Sequence, residues 1–289
     1  MPLFLTPLLS FILLSLLHIA AASKRGLIFI PALSNSGSTL GNNPGRLSWY
    51  YNYHSRPLPN APTSNLEYVP MLWGAPHPGQ DFYADVSSLP QLPRYILGFN
   101  EPDMSRAVGG SDISPGYAAA LWRQHIQPWA ARGVKLGAPA VASTPNGRQW
   151  LRDFLGACSG CTIDFLPLHW YGNYKGFREY IWSVQQEYPG MELWLTEVGF
   201  PWESEGETRS FFEDVIQFLD SSPAVGKYAW FGSFKVGEGN IGPNSAMLDS
   251  NGRLTALGQR YVGSKRRWIN RRRDLRRGLR SVGSAGIGK

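Results

Sequence analysis

Eight short segments rich in β-branched, aromatic and aliphatic residues recur about every thirty residues, and this rhythm limits the fold more than any other feature of the chain. They cover 27–32, 47–53, 68–73, 95–100, 135–141, 165–171, 193–197 and 228–234. Most are continuous apolar runs rather than alternations, as parallel strands covered on both faces must be. Helical periods lie between the later segments. Phe177, Tyr180, Ile181, Val184 and Tyr188 follow 3-4 spacing, and so do Phe211, Phe212, Val215, Ile216 and Leu219. Ser114-Pro115 reads as cap and first turn of a helix reaching about Arg132, kinked or shortened at Pro128. A last short helix is expected over 255–262. The early connections, 34–46 and 54–65, are rich in Gly, Pro, Ser and Asn and have no helical period. The order predicts an α/β fold, a (β/α)₈ TIM barrel with short or irregular early crossovers. A smaller doubly wound α/β domain is the alternative, and eight strands in steady order favour the closed barrel.

The ends differ from this middle. The first 23 residues carry no charge, and an apolar stretch over 8–22 ends in Ala20-Ala21-Ala22-Ser23. It is short for a membrane span and closes on small residues, so residues 1–22 read as a signal peptide rather than an anchor. Secretion to the cell exterior or wall follows, without stable membrane insertion. From 264 to 289 there are ten Lys or Arg and one Asp, a charge of +9, whereas the whole chain carries +7; the rest therefore carries −2. The alkaline balance belongs to the tail. With Arg271-Arg272-Arg273 and few apolar residues, this stretch is expected to be disordered. Nucleic-acid binding is the sharper reading of such a run, but a secreted chain makes an acidic wall polymer or membrane surface the better partner, or none. The remaining residues, 23–263, are one barrel-sized domain, expected as a monomer. Cys158 and Cys161 are the only cysteines. They are too few for a zinc site and lie in an oxidising compartment, so a small disulfide is expected. There is no Asn-x-Ser/Thr acceptor.

Residues just past the carboxyl ends of barrel strands face the active site. Those positions here read Gly98-Phe99-Asn100-Glu101-Pro102-Asp103, His169-Trp170-Tyr171-Gly172, Thr196-Glu197-Val198-Gly199 and Trp230-Phe231-Gly232-Ser233-Phe234. Two glutamates thus point into one mouth from opposite walls, among aromatics, a histidine and an asparagine. Cleaving a glycosidic bond with retention needs such a pair, one carboxyl to protonate the leaving oxygen and one to attack the anomeric carbon. No cofactor or metal is required for that chemistry. An idle carboxylate at the end of an apolar run is costly, which argues against a passive role for either. Other acids fit less well. Glu203, Glu205 and Glu207 lie in a polar loop, and Glu67 and Asp164 precede strands, at the stability face.

Leu-Gly-Phe-Asn-Glu-Pro-Asp at 97–103, Leu-Pro-Leu-His-Trp-Tyr-Gly at 166–172 and Trp-Leu-Thr-Glu-Val-Gly at 194–199 together resemble glycoside hydrolase family 128, mostly fungal β-1,3-glucanases and related cell-wall proteins. The resemblance spans about 24–262 and implies Glu101 as acid/base and Glu197 as nucleophile. It further implies that Asn100 bonds the sugar 2-hydroxyl and Tyr171 orients Glu197. His169 would line the same subsite and Trp230 would form its floor. Trp73, ahead of Trp49 and Tyr50, would stack on further glucose units, and Trp170 is read as core. The expected activity is endo-cleavage of a β-1,3-glucan polysaccharide with retention. The alternatives are a related hydrolase of β-1,4-glucan or mannan, and a non-catalytic wall protein that binds glucan with the same fold.

Overall fold

The computed structural model describes residues 23–30, 33, 36–41, 45–57, 59 and 65–263. The expected signal peptide and basic tail lie outside the described residues. Eight parallel strands follow in order: β1 (Arg25–Ile28), β2 (Leu47–Tyr51), β3 (Glu67–Tyr68), β4 (Tyr95–Leu97), β5 (Lys135–Gly137), β6 (Phe165–Tyr171), β7 (Glu192–Gly199) and β8 (Val225–Trp230). Their order in the sheet, β3-β2-β1-β8-β7-β6-β5-β4, is the chain order taken round a ring. The ring is joined between its ends just past β3. Leu97 N–H donates to Pro70 O at 2.9 Å, and Leu72 N–H donates to Leu97 O at 3.2 Å. The expected (β/α)₈ barrel is the fold, and its early connections are thin as the composition implied. α1 (Ser36–Gly41) is short, and the described residues between β2 and β3 hold no helix.

The other helices are α2 (Phe82–Ser87), α3 (Pro115–Leu121), α4 (Pro145–Ala157), α5 (Tyr174–Glu187), α6 (Glu205–Ser221) and α7 (Ala256–Val262). Side-chain oxygens of Thr144, Asn173, Ser204 and Thr255 cap α4 to α7 by accepting an N–H from the third residue on. Ser114 stands at the cap position of α3 but makes no such bond. Past α3 the helix widens over Trp122–Ile126 and then tightens over Gln127–Arg132. Pro128, which has no N–H to give, sits at that change of pitch. Glu205 and Glu207 are not in a loop as expected. They open α6, where negative charge suits the helix N-terminus.

Strand residues alternate between two apolar layers. Ile28, Trp49, Tyr51, Val69, Met71, Leu97, Phe165, Trp194 and Ala229 fill the barrel interior. Their neighbours Leu27, Tyr50, Ile96, Leu166, Leu195, Tyr228 and Trp230 belong to the layer that includes the helices. Charges gather at the lower rim. Glu67 accepts from Arg94 at 2.7 Å and from the half-buried Lys227 at 3.3 Å, and Asp164 accepts from Lys135 at 2.7 Å. Cys158 and Cys161 are joined just past α4, with Cα atoms 5.4 Å apart. No helix among the described residues is long and apolar enough to cross a membrane.

Candidate active site

The upper mouth of the barrel is a cavity of about 800 Å³ lined by both glutamates together with Tyr53, Trp73, Asn100, His169, Tyr171 and Phe231. Glu101 follows β4 on a segment pinned to both neighbours. Asn100 N–H donates to Trp73 O at 2.8 Å, and Glu101 N–H donates to Ala140 O at 2.7 Å. Glu101 has φ 38°, a left-handed backbone that is uncommon outside glycine. Such strain persists only where surrounding bonds impose it, and here it turns the carboxylate into the mouth.

Glu197 lies within β7, and a slip in register brings it to the site. Leu168 pairs with Leu195, yet His169 pairs with Glu197, so Thr196 is passed over. A bulge of this kind re-aims side chains, and it sets His169 beside Glu197. His169 Nδ1 is 2.9 Å from Glu101 Oε1, and its Nε2 is 3.5 Å from Glu197 Oε1. The remaining bonds fall on Glu197. Tyr53 donates its hydroxyl to Oε1 at 2.7 Å and Tyr171 donates to Oε2 at 2.5 Å. One oxygen of each glutamate and one nitrogen of His169 all lie within 4.8 Å of one another. This is the one cluster among the described residues with metal-ligand spacing. The hydroxyls already on Glu197 and the imidazole on Glu101 account for the same spacing by hydrogen bonding alone.

Burial raises both carboxyls, and their partners then separate them. At Glu101 the hydrogen bond and charge of His169 overcome burial and hold the carboxyl below its ordinary value. At Glu197 burial, reinforced by the charge of Glu101, outweighs His169 and the two tyrosine bonds and pushes the carboxyl up. Burial alone would lower His169, but the charges of Glu197 and Glu101 lift it above the ordinary imidazole range. Glu197 and His169 are thus both pushed up, while the bond to His169 holds Glu101 down.

Trp73, Asn100, His169 and Tyr171 all stand where the sequence placed them, at the cavity. Asn100 donates Nδ2 to Gly109 O at 3.2 Å, and its buried Oδ1 has no partner. Trp230 does not form a floor under the cavity. It is fully buried against Phe211 and Phe212 of α6 and donates its indole N–H to Ser245 O at 2.9 Å. Strand parity is the reason: Ala229 points in, Trp230 points out, and Phe231 lines the mouth instead. Trp49 and Tyr50 are likewise buried, Trp49 at the bottom of the barrel and Tyr50 toward the helices. Trp170 stacks on Tyr180 at 5.4 Å, as core packing requires. Tyr53 was the residue missed. It shares the parity of Trp49 and Tyr51, so counting by twos along that strand reaches the mouth.

A sequence profile described as the glycosyl hydrolase catalytic core matches residues 26–261. The chain is 32% identical to a curdlan-specific exo-β-1,3-glucanase of family 128, subgroup III, from Blastomyces gilchristii, solved with glucose. That match covers 83% of this chain and 98% of the other, with a TM-score of 0.67. The chain belongs to glycoside hydrolase family 128. A subgroup II endo-β-1,3-glucanase of family 128 from Sorangium cellulosum is 30% identical, with 85% and 100% coverage and a TM-score of 0.68. The family also holds a subgroup VII oligosaccharide-binding protein from Cryptococcus neoformans, 29% identical over 83% of this chain and 93% of the other, with a TM-score of 0.67. Alkali-sensitive linkage protein 1 of Schizosaccharomyces pombe is 32% identical over 84% of this family 128 chain. The match spans 45% of that longer relative.

Proposed function

We propose that the chain is a secreted endo-hydrolase of β-1,3-glucan that acts with retention through a covalent glycosyl-enzyme, with Glu101 as acid/base and Glu197 as nucleophile. The separation of the two carboxylates carries the reading. One oxygen of each lies within 4.8 Å of the other, which fits the close pairing of a retaining site, about 5–5.5 Å, better than the about 6.5–9.5 Å of an inverting one. The two tyrosine hydroxyls favour the ionised form of Glu197 and aim it at the anomeric carbon. The proton for the leaving oxygen comes through Glu101 Oε1, resupplied by His169 Nδ1 at 2.9 Å. In the second step Glu101 takes a proton from the attacking water, and the bond to Glu197 breaks. Asn100 lines the cavity and brings an amide to the sugar 2-hydroxyl. Trp73 offers an aromatic wall, with Arg106 5.7 Å from its ring centroid.

The β-1,3 linkage is supported by the two glucanases at 30% and 32% identity. Endo action is supported by the shape of the mouth. Past Tyr53 and Trp73 it adjoins a second cavity of about 630 Å³, so a chain has space on both sides of that wall. Secretion is supported by the apolar leader. A binding-only role is the second reading, favoured by the oligosaccharide-binding relative. Digestion of laminarin, cellulose and mannan, followed by product chromatography, tests these together. Laminarin should give a ladder of oligosaccharides. Glucose alone from the first time point would overturn endo action, and cleavage of only cellulose or mannan would overturn the linkage. Laminarin binding without any product would establish the binding-only reading.

A further inference from the structure

Trp202 is unusual in two ways that folding does not explain. It is 72% exposed, the most exposed large hydrophobic residue among the described residues. Its φ is 60°, a left-handed backbone that a bulky side chain rarely adopts. Both features cost the native state free energy, and outliers of this kind concentrate at ligand clamps and active sites.

The surrounding contacts fix the residue in place. Trp202 N–H donates to Ile241 O at 3.1 Å, and Asn244 Nδ2 donates to Glu203 O at 2.8 Å. The indole rests on the open Cα of Gly242, where an added Cβ would lie 3.2 Å from Trp202 Cε3. Gly242 itself has φ 84°, so glycine serves there both for its conformation and for the close approach. The chain neighbour Pro201 and the bonded neighbour Ile241 both line the cavity that holds Glu101 and Glu197. Trp202 is not itself part of the lining, but it follows one lining residue and is bonded to another, five residues past Glu197, on a backbone with little freedom.

We infer that Trp202 is a stacking platform for a glucose unit of the glucan chain beyond the cleavage point, and that it sets a preference for long chains over short ones. The inference rests on the glucan reading above. A sugar ring presents a face of C–H groups to an indole, and a rigid platform adds affinity because little conformational freedom is lost on binding. Only a chain long enough to span the cavity and reach the rim gains from it.

The test uses the full chain with Trp202→Gly and Trp202→Phe. Glycine takes φ 60° without strain, so Trp202→Gly should unfold at the same temperature as the wild type or higher. For each protein kcat/KM is measured on laminaritriose and on laminarihexaose, and their ratio is the readout, which inactive protein does not affect. The long-to-short ratio should fall about five- to tenfold in Trp202→Gly, as loss of one aromatic contact implies. Trp202→Phe should recover most of it. An unchanged ratio in Trp202→Gly beside an active wild type would overturn the platform alone. A wild type that neither binds nor cleaves either sugar would overturn the glucan reading and the platform with it.

Discussion

Tyr53→Phe removes one of the two hydroxyls on Glu197 while keeping the ring that packs on Tyr51 at 5.0 Å. A hydrogen bond to a charged acceptor contributes about 1.5–3 kcal/mol, roughly twice a neutral one. The phenol also bonds the protonated acid, so the carboxylate is favoured by only about half of that, roughly 0.8–1.5 kcal/mol. At about 1.4 kcal/mol per pH unit, the Glu197 carboxyl rises by about 0.5–1 unit. Burial and the charge of Glu101 already hold it above its ordinary value. The nucleophile works ionised, so activity is lost as pH falls through this pKa. The acid limb of the pH profile for kcat/KM on laminarin should therefore move upward by about 0.5–1 unit. Tyr171 keeps its 2.5 Å bond and the orientation of the carboxylate, so activity on the plateau should survive. An acid limb that stays in place, or moves down, in a variant with unchanged thermal unfolding would refute the assignment of Glu197 as the group that must be charged.

Glu197→Ala should lose several orders of magnitude in turnover on laminarin, and added azide should then give a glycosyl azide of inverted configuration. Glu101→Ala should stop glucan cleavage but spare an aryl glucoside with a good leaving group, and azide should speed that reaction with retention. An α-anomer appearing first from the wild type in proton NMR would contradict both. His169→Ala leaves Glu101 alone to hold the working proton. The alkaline limb, set in the wild type by an imidazole that the two carboxylates lift against burial, should move to lower pH, and an unmoved limb would exclude the relay. Trp230→Ala should destabilise the barrel by about 3–5 kcal/mol with KM unchanged; a raised KM at constant thermal stability would return Trp230 to the sugar. Thiol labelling of the denatured protein should find no free cysteine, and replacing both by serine should cost no more than about 2 kcal/mol, because the loop they close is short.

The glutamates were legible because strand ends in a barrel converge whatever the details of the loops. That argument needs only the order of the apolar runs and not their register. Trp230 and Tyr53 needed the register. Strand 8 was expected over 228–234, but it spans Val225–Trp230, and nothing in an apolar run marks which residues face inward. Tyr53 lay within reach of the parity of Trp49 and Tyr51. The aromatic Tyr50 beside them masked the alternation, because in a sheet covered on both faces either parity can be apolar. The bulge that seats His169 opposite Glu197 has no signature in Leu168-His169-Trp170 or Leu195-Thr196-Glu197, since it is set by how two strands meet. Helices α5 and α6 were readable from their periods and α7 was expected over 255–262, whereas α4 was not read although Thr144 caps it.

The ring of strands is unevenly fastened, and the two glutamates stand on different parts of it. β6 and β7 are matched over seven residue pairs, whereas β2 meets β3 over two, and the region past β3 meets β4 and the segment after it through the bridge of Met71 to Leu97 and the bond from Asn100 N–H to Trp73 O. Glu197 rides on the tightly laced side. Glu101 and Trp73 ride beside the seam. Amide hydrogens of Leu72, Leu97 and Asn100 should therefore exchange sooner than those of Leu195 and Val198, and breathing there would carry the proton donor while leaving the nucleophile still. The gap between acid and sugar is then the adjustable dimension of this barrel. Substitutions that tighten or loosen the seam should alter the temperature dependence of cleavage without touching a group that meets the substrate.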